Sequence, residues 1–328
     1  MNSPPRLSLA IPVFNEREVF PALVERVGAV LDKIPGGPHE IVMVDDGSSD
    51  GTADLLEQAA ARDPRIVGVL LSRNFGHQVA ITAAMDQVSG DVIVIMDGDL
   101  QDPPEVIPKL LAKHEEGYDV VYAQRGQRQE GWYLRFCYWL FYRIVTKLSN
   151  VPLPLDSGDF ALLSRRVVDA MRAAPERQRY LRGLRAWVGF KQTGMVVDRA
   201  GRHAGRSKYT PLKLLKLASD GIFAFSIVPL RAALFLGAGA IVASIVYAIY
   251  AILARLVFES NTPPGFASLI VVITFLAGMQ LLILGVVGEY VGRIYEEVKG
   301  RPHYILRKVV RAKEAAEAAP QPRYADQL

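Results

Sequence analysis

The sequence predicts an α/β fold with a mostly parallel sheet, followed by a C-terminal transmembrane helical hairpin. Three observations support this prediction. Short apolar segments alternate with amphipathic helical patterns through the first 125 residues, which is typical of parallel strands covered on both faces. Acidic side chains directly follow three of these apolar segments. Two uncharged apolar segments, 232–254 and 265–288, are each long enough to cross a hydrocarbon core of about 30 Å.

The hydrophobic pattern defines each element of the first half. Continuous apolar runs that end at turn residues predict buried strands, and apolar residues at helical spacing predict helices. The predicted strands are Leu7–Val13, Glu40–Val44, Ile66–Leu71, Asp91–Met96 and Val120–Tyr122. The predicted helices are Arg17–Ile34, a helix that begins at Thr52, Gln78–Val88 and Pro104–Glu116.

The most informative motif, Asp97-Gly98-Asp99, ends the fourth predicted strand. Residues two apart in an extended chain point the same way, so Asp97 and Asp99 can share one cation while Gly98 lets a ligand approach. Mg²⁺ and Mn²⁺ prefer oxygen ligands and keep positions open for phosphates. The motif therefore predicts a divalent cation, with a solvated turn as the alternative.

Polar residues also follow the first two predicted strands. Asn15 follows the first, and Asp45 and Asp46 follow the second. Ligands of parallel sheets bind beyond the carboxyl ends of the strands, where these side chains would meet the aspartate motif. Several carboxylates in one crevice would repel one another without a cation, so these residues predict a metal ion and a polyphosphate. Taken singly, each motif could be a turn, and Asp50 could cap the next helix.

Charge is unevenly distributed around a net charge of +4. Residues 1–105 carry 17 acidic and 7 basic side chains, whereas residues 165–216 carry 14 basic and 3 acidic ones. The basic region lacks the motifs of nucleic-acid-binding proteins, so we expect no nucleic-acid partner. It precedes the apolar segments, where Lys and Arg commonly face anionic lipid head groups. The single cysteine excludes an internal disulfide and a cysteine zinc site.

The chain is therefore expected to comprise a cytoplasmic domain and a membrane anchor. The predicted parts are a cytoplasmic domain (1–210), an amphipathic interface helix (211–228), two transmembrane helices (229–257 and 265–290) and a cytoplasmic tail (291–328). Basic residues on both flanks of the hairpin, and a start without a secretory signal, place both termini in the cytoplasm. Trp132–Ser149 is either another interface helix or a core helix.

Four segments together resemble a known enzyme family. IPVFNE, VDDGSSDGT, LSRNFGHQVA and MDGDLQDPPE occur in this order within residues 7–210. They resemble the nucleotide-sugar half of family 2 glycosyltransferases, which have a Rossmann-like fold of the GT-A type. The resemblance is greatest to the polyprenyl-phosphate glycosyltransferases, the group of dolichol-phosphate mannose synthase and bacterial undecaprenyl-phosphate glucosyltransferases. Processive members carry a Gln-x-x-Arg-Trp signature that Arg182–Trp187 does not match, so a single sugar transfer is expected.

The resemblance implies roles for individual residues. Residues implied to bind the nucleotide sugar are Pro12, Asn15, Glu16, Asp45, Asp46, Asp97 and Gly98. Residues implied to hold Mg²⁺ or Mn²⁺ are Asp97, Asp99 and Gln101. Residues implied to bind a phosphate of donor or acceptor are Arg125, Arg202, Arg206, Ser207 and Lys208. Asp99 and Asp159 would be catalytic, and Asp159 could either act as a base or orient the acceptor. Roles for Arg73 and His77 stay open.

The expected reaction transfers one hexose, with inversion, from a nucleotide diphosphate sugar to polyprenyl phosphate. UDP-glucose is the first candidate donor, and GDP-mannose is the alternative. The expected partners are the donor, the lipid acceptor and the bilayer, with a homo-oligomer left open. A non-catalytic nucleotide-sugar-binding scaffold and a component of a lipid flippase are the alternatives from other functional classes.

Overall fold

The computed structural model describes residues 7–125, 157–177, 179–197, 228–257 and 266–312. The chain divides into two compact units. The first contains residues 1–142, 151–208 and 301–328, and the second contains residues 143–150 and 209–300.

The first unit is built on one mixed sheet of eight strands within the described residues. The strands are β1 Leu7–Val13, β2 Glu40–Asp45, β3 Ile66–Leu71, β4 Val92–Ile95, β5 Val120–Arg125, β6 Ser157–Ser164, β7 Gln192–Val197 and β8 Leu306–Val310. Their order is β7-β5-β6-β4-β1-β2-β3-β8. The central strands β4, β1, β2 and β3 are parallel, whereas β6 and β8 run antiparallel to their neighbours.

Helices cover both faces of this sheet. They are α1 Phe20–Leu31, α2 Thr52–Arg62, α3 His77–Gln87, α4 Ile107–Glu115, α5 Arg165–Ala173 and α6 Leu181–Trp187, with a 3₁₀ turn at Pro104–Val106. One face of the sheet packs on the apolar residues of α1, α2 and α4, and the other packs on those of α3, α5 and α6. Because β1, β2 and β3 are buried along their whole length, their apolar runs are continuous rather than alternating. The predicted α/β class with a mostly parallel sheet is confirmed.

Several element boundaries differ from the predictions. The strands at Leu7–Val13 and Ile66–Leu71 match, but the first helix begins at Phe20 rather than at Arg17. The Arg17 backbone N–H donates to Asp50 Oδ2 at 3.1 Å, so the chain before Phe20 is bound to the loop after β2. Asp50 Oδ1 also accepts the Thr52 backbone N–H at 3.0 Å, which stabilises the start of α2.

The structure differs most from the prediction after residue 290. The second predicted span ends there, but the corresponding helix continues to Val298. The chain then returns to the sheet, where β8 pairs with β3 in antiparallel register. The Tyr304 hydroxyl donates to Asp86 Oδ2 at 2.9 Å, and Lys308 Nζ donates to Glu57 Oε2 at 2.5 Å. Residues 301–310 therefore belong to the first unit instead of forming part of a tail.

The described part of the second unit consists of two long helices, α7 Val228–Val257 and α8 Phe266–Val298. They contain apolar windows, Leu230–Tyr247 and Phe275–Val298, with mean hydropathies of 1.8 and 1.6. By length and composition, each window is sufficient to cross a membrane. The predicted helix at 132–149, the predicted interface helix apart from its last residue (211–227) and the end of the tail lie outside the described residues.

Candidate active site

A crevice of about 290 Å³ lies at the carboxyl ends of β1, β2 and β4. Its walls are formed by the end of β1, the segments that follow β1, β2, β3 and β4, and the start of α3. The lining residues are Pro12, Val13, Phe14, Glu16, Asp46, Asn74, Gly76, His77, Ala80, Asp97, Gly98 and Asp99. The sequence predicted that residues at the strand ends meet at this edge, and the structure brings six of the predicted donor- and metal-binding residues into one cavity: Pro12, Glu16, Asp46, Asp97, Gly98 and Asp99.

Asp97 and Asp99 both border the crevice, just beyond the end of β4. Burial raises the pKa of Asp97 to about 6, although the nearby His77 imidazole acts in the opposite direction. Asp97 Oδ1 is buried and accepts no hydrogen bond within the described residues. Asp99 Oδ1 accepts the Gln101 backbone N–H at 3.0 Å, which fixes the turn after the strand. The Gln101 side chain is not part of the crevice wall.

Gly98 is required by protein packing, which differs from the predicted reason. A Cβ atom at this position would lie 2.7 Å from Val13 Cγ1 and 2.9 Å from the Pro12 carbonyl oxygen. Real Cβ contacts are essentially never this short. The Cβ position of Gly98 is therefore filled by the end of β1, and Gly98 itself also lines the crevice, so its predicted contact with a ligand stays a prediction.

Asp46 organises the wall of the crevice opposite β4. Its two carboxylate oxygens accept the backbone N–H groups of Phe75 and Gly76, at 2.7 and 2.9 Å. Burial raises the pKa of Asp46, and these two N–H groups partly offset that effect. Asp46 therefore holds the segment that leads into α3.

Two other predicted donor-binding residues do not reach the crevice wall. Asp45 is 1% exposed and accepts the Ser48 backbone N–H at 3.2 Å, so it stabilises the turn after β2. Asn15 has a φ of 55°, and its Oδ1 accepts the Ser49 backbone N–H at 2.9 Å. Neither residue lines the crevice. Asn15 therefore ties the loop after β1 to the loop after β2, whereas Asp45 acts within the loop after β2.

The residues of the crevice are compatible with a divalent cation. The described residues contain no group of three or more His, Cys, Asp or Glu side chains arranged to hold a metal ion. Mg²⁺-type ions, however, are commonly bound by one or two carboxylates together with substrate phosphates. Asp97 and Asp99 supply two carboxylates, and the unbonded Asp97 Oδ1 is the kind of buried oxygen that a cation would satisfy.

A second cluster surrounds Asp159, on β6 beside β4. The Asp159 carboxylate is 8% exposed and accepts two hydrogen bonds from Arg182, at 2.8 and 2.9 Å. His77 Nε2 lies 3.6 Å from Asp159 Oδ2 and 3.4 Å from Asp97 Oδ1, so it bridges the two acidic groups. Burial alone would raise the pKa of Asp159, but Arg182 and His77 outweigh it and hold that pKa well below its usual range.

Other side chains support this cluster from α3 and α6. Gln78 Oε1 accepts the Leu181 backbone N–H at 3.0 Å, and Gln78 Nε2 donates to Asp159 Oδ2 at 3.5 Å. Arg185 is 3% exposed, and its Nη1 donates to the Gly158 carbonyl oxygen at 3.3 Å. The sequence does not decide a role for His77. It draws attention to Arg182 and Arg185 only because their segment does not match the Gln-x-x-Arg-Trp signature of processive enzymes. The spacing of two arginines by three residues would have placed them on one helix face.

The predicted phosphate-binding residues lie mostly beyond the described part of the chain. Arg125 is the last residue of β5. The remaining predicted residues, Arg202, Arg206, Ser207 and Lys208, are outside the described residues. Their assignment to phosphate binding stays a prediction.

Residues 8–172 match the family model described as "Glycosyl transferase family 2". The chain belongs to this family. A bactoprenol glucosyl transferase of Shigella flexneri, described as SfII prophage-derived, is 41% identical over 92% of this family 2 glycosyltransferase and 98% of the relative. An uncharacterized glycosyltransferase of Synechocystis sp. is 43% identical over 92% of this chain and 94% of that one. An undecaprenyl-phosphate 4-deoxy-4-formamido-L-arabinose transferase of Yersinia enterocolitica is 38% identical over 94% and 95%.

This family 2 glycosyltransferase is also similar, at lower identity, to solved structures. A mannosyltransferase from Pyrobaculum calidifontis, in complex with GDP-Man and Mn²⁺, is 16% identical with a TM-score of 0.44, and the match covers 88% of this chain and 87% of the other. The mannosyl-3-phosphoglycerate synthase of Rubrobacter xylanophilus is 18% identical, also with a TM-score of 0.44, over 80% and 78%.

Proposed function

We propose that this glycosyltransferase moves one hexose, with inversion, from a nucleoside diphosphate sugar to a polyprenyl phosphate. The observation that carries the proposal is the joint position of Asp97, Asp99 and Asp159 around His77. A cation-binding pair for the leaving diphosphate thus lies beside a separate charged cluster for the acceptor. The names of relatives that align over nearly their whole length, a bactoprenol glucosyl transferase and an undecaprenyl-phosphate sugar transferase, support a lipid-phosphate acceptor.

The proposed donor is UDP-glucose. The glucosyl transferase from Shigella flexneri supports this choice, because it aligns over 98% of its length. A GDP-mannose-dependent reaction is the alternative. A scaffold without catalysis is disfavoured because Asp159 and Arg182 maintain a buried ion pair beside the crevice, which a protein that only binds nucleotide sugar would not need.

The crevice residues are proposed to have different roles in donor binding. Asp97 and Asp99 would hold Mg²⁺ or Mn²⁺, and such an ion neutralises charge on a departing diphosphate when bound. Asp46 keeps the segment before α3 in place through the backbone of Phe75 and Gly76, so that one wall of the crevice is fixed before the donor arrives. Preorganised polar groups of this kind cost little reorganisation during reaction.

Asp159 is proposed to orient the acceptor side rather than to remove a proton. Burial by itself would raise the pKa of the Asp159 carboxylate, but its hydrogen bonds and ion pair with Arg182 outweigh burial and favour an ionised group with little basicity. A phosphate monoester has a second pKa near 6, so about nine tenths of a lipid phosphate is already dianionic at neutral pH. The nucleophile therefore needs positioning more than it needs a base.

The two apolar helices are proposed to anchor the enzyme in the membrane with its first unit in the cytoplasm. Arg231 lies near the start of α7, and Arg293, Lys299 and Arg301 follow the uncharged segment 265–288, which is the charge pattern of cytoplasmic flanks. An acceptor confined to the bilayer then meets a tethered active site at high effective concentration.

The purified full-length protein can test the proposal with a panel of radiolabelled UDP- and GDP-sugars and polyprenyl phosphate, with and without EDTA. We expect lipid-extractable label from one donor only, and loss of that label on chelation. Label in a polymer, or equal transfer with EDTA, would contradict the proposal. Asp159→Asn separates an enzyme from a scaffold, because a scaffold would keep its cellular phenotype with this substitution.

A further inference from the structure

We propose that Arg182 and Arg185, on one face of α6, form the subsite that receives the phosphate of the acceptor. This inference rests on the proposed function and adds to it the residues that recognise the acceptor. It differs from the predicted phosphate-binding set, which lies at Arg125 and within residues 202–208.

The charge of the cluster indicates an anion. Two guanidinium groups, of Arg182 and Arg185, border the same small cavity as one carboxylate, that of Asp159. Arg182 already forms both hydrogen bonds of a bidentate pair with Asp159. Among the residues that line this cavity, one positive charge therefore remains in excess, and His77 lies between the cluster and the carboxylate of Asp97. A phosphate dianion or monoanion matches this excess.

Arg185 carries the strongest evidence, because it is a buried cation without a direct ion pair to a carboxylate among the described residues. Its side chain is 3% exposed, and its Nε and Nη2 atoms have no hydrogen-bond partner in the described part of the chain. Its guanidinium stacks over the Tyr122 ring at 5.0 Å, and burial lowers the pKa of Arg185 to about 10. Burying an incompletely compensated charge is costly, so the site is arranged for a charge that arrives later.

The small size of this cavity indicates that Arg182 and Arg185 have different roles. The cavity between Asp159, Arg182 and Arg185 has a volume of about 10 Å³, which is room for about one water molecule. A phosphate therefore cannot enter it and must be met by Arg182, whose side chain is 32% exposed. When Arg182 turns to the phosphate, Asp159 keeps a counter-charge in Arg185, which borders the same cavity.

Strand order supports the acceptor rather than the donor as the source of this phosphate. The order β6-β4-β1-β2 places Asp159 on one side of the aspartate motif and Asp46 on the other. Of the crevice residues assigned to the donor, Pro12 lies near the end of β1 and Asp46 follows β2, whereas Arg182 approaches Asp159 from beyond β6. A donor bound over β1 and β2 with its diphosphate at β4 would present its sugar toward Asp159.

The test uses full-length protein in detergent, farnesyl phosphate as acceptor and the donor that the panel identifies. Arg182→Gln should raise the KM for farnesyl phosphate about tenfold or more, since it removes hydrogen bonds to a charged group. Arg185→Gln removes the remaining counter-charge of Asp159 and should raise the same KM, whereas Arg185→Lys keeps that charge and should raise it less. The Kd of the matching nucleoside diphosphate, measured by calorimetry, should change less than about twofold by the same reasoning. Arg182→Lys keeps the charge and should recover part of the loss. Inorganic phosphate should compete with farnesyl phosphate in the wild-type protein, but more weakly in the variants.

The matched control is Arg166→Gln. Arg166 forms a similar paired contact with Asp119, at the opposite end of β5 and β6, so its loss should leave both constants unchanged. Melting temperatures identify a variant that fails to fold. If a glutamine variant fails to fold, the KM values of Arg182→Lys and Arg185→Lys test the inference instead. Equal weakening of nucleotide and acceptor, or no change in either, would overturn the inference. Absence of transfer by the wild-type protein would instead contradict the proposed function itself.

Discussion

Gly98→Ala tests whether the end of β1 fixes the position of the aspartate motif. The added Cβ would lie 2.7 Å from Val13 Cγ1, and ordinary contact begins at 3.4 Å, so the two segments must separate by about 0.7 Å. The second obstacle is the Pro12 carbonyl oxygen at 2.9 Å, which is backbone and cannot rotate away. Overpacking of this kind typically costs about 1–3 kcal/mol.

The same displacement should impair catalysis. In a unit of this size, the cost corresponds to a decrease in Tm of about 2–12 °C. A shift approaching 1 Å in the residues that hold the diphosphate can reduce turnover by about 100-fold. Thermal unfolding of the detergent-purified protein and steady-state kinetics with the identified donor measure the two effects.

Gly28→Ala is the matched control for this substitution. Gly28 lies within α1, and the nearest heavy atom to an added Cβ is the flexible end of Arg65, at 3.6 Å. Alanine is favoured over glycine in a helix by about 1 kcal/mol, so this variant should melt at the same temperature or higher and keep full activity. A Gly98→Ala protein that melts and turns over like the wild type would refute the packing argument.

Three further substitutions test other parts of the structure. Asp97→Asn should reduce turnover by about 100-fold or more and abolish stimulation by Mn²⁺, as measured by kinetics across a metal titration; unchanged stimulation would contradict the proposed metal site. Asp63→Asn should cost at most about 1 kcal/mol at pH 7. Hydrogen bonding to Arg65 lowers the pKa of Asp63, so the stabilisation is present above the unfolded value of 3.8 and is lost as pH falls through the folded value. The variant and the wild type should therefore melt alike in strong acid, and a constant difference at every pH would be inconsistent with this pair. Tyr304→Phe removes the hydrogen bond to Asp86 and should lower stability by about 1 kcal/mol, whereas no change in Tm would show that the returning segment contributes little.

The central strands could be predicted because their pattern is local. β1, β2 and β3 are continuous apolar runs buried on both faces, and each ends at turn residues. β8 was not predicted because its sequence, LRKVV, contains two adjacent charged residues instead of a continuous apolar run. The strand is also exposed along most of its length. Its partner β3 lies more than 200 residues earlier, so only the folded chain reveals the pairing.

The candidate site was predictable in its location but not in its contacts. The sequence grouped Asp45 with Asp46, yet only Asp46 borders the crevice. Adjacent residues at a strand end point in opposite directions, and this rule would have separated the two. The cluster joins His77 to Asp159 and Arg182, which both lie more than 80 residues further along the chain, so no local spacing could have predicted it.

The strand β8 has a practical consequence for any shortened form of the enzyme. A fragment that stops ahead of α7 would retain every crevice residue but would lose the neighbour that covers β3. The N–H and C=O groups of Ile66–Leu71 would then form an open, apolar sheet margin, which is a template for aggregation. A water-soluble version should therefore be made by deleting the two apolar helices and splicing residues 301–312 back onto the remaining chain, rather than by simple truncation.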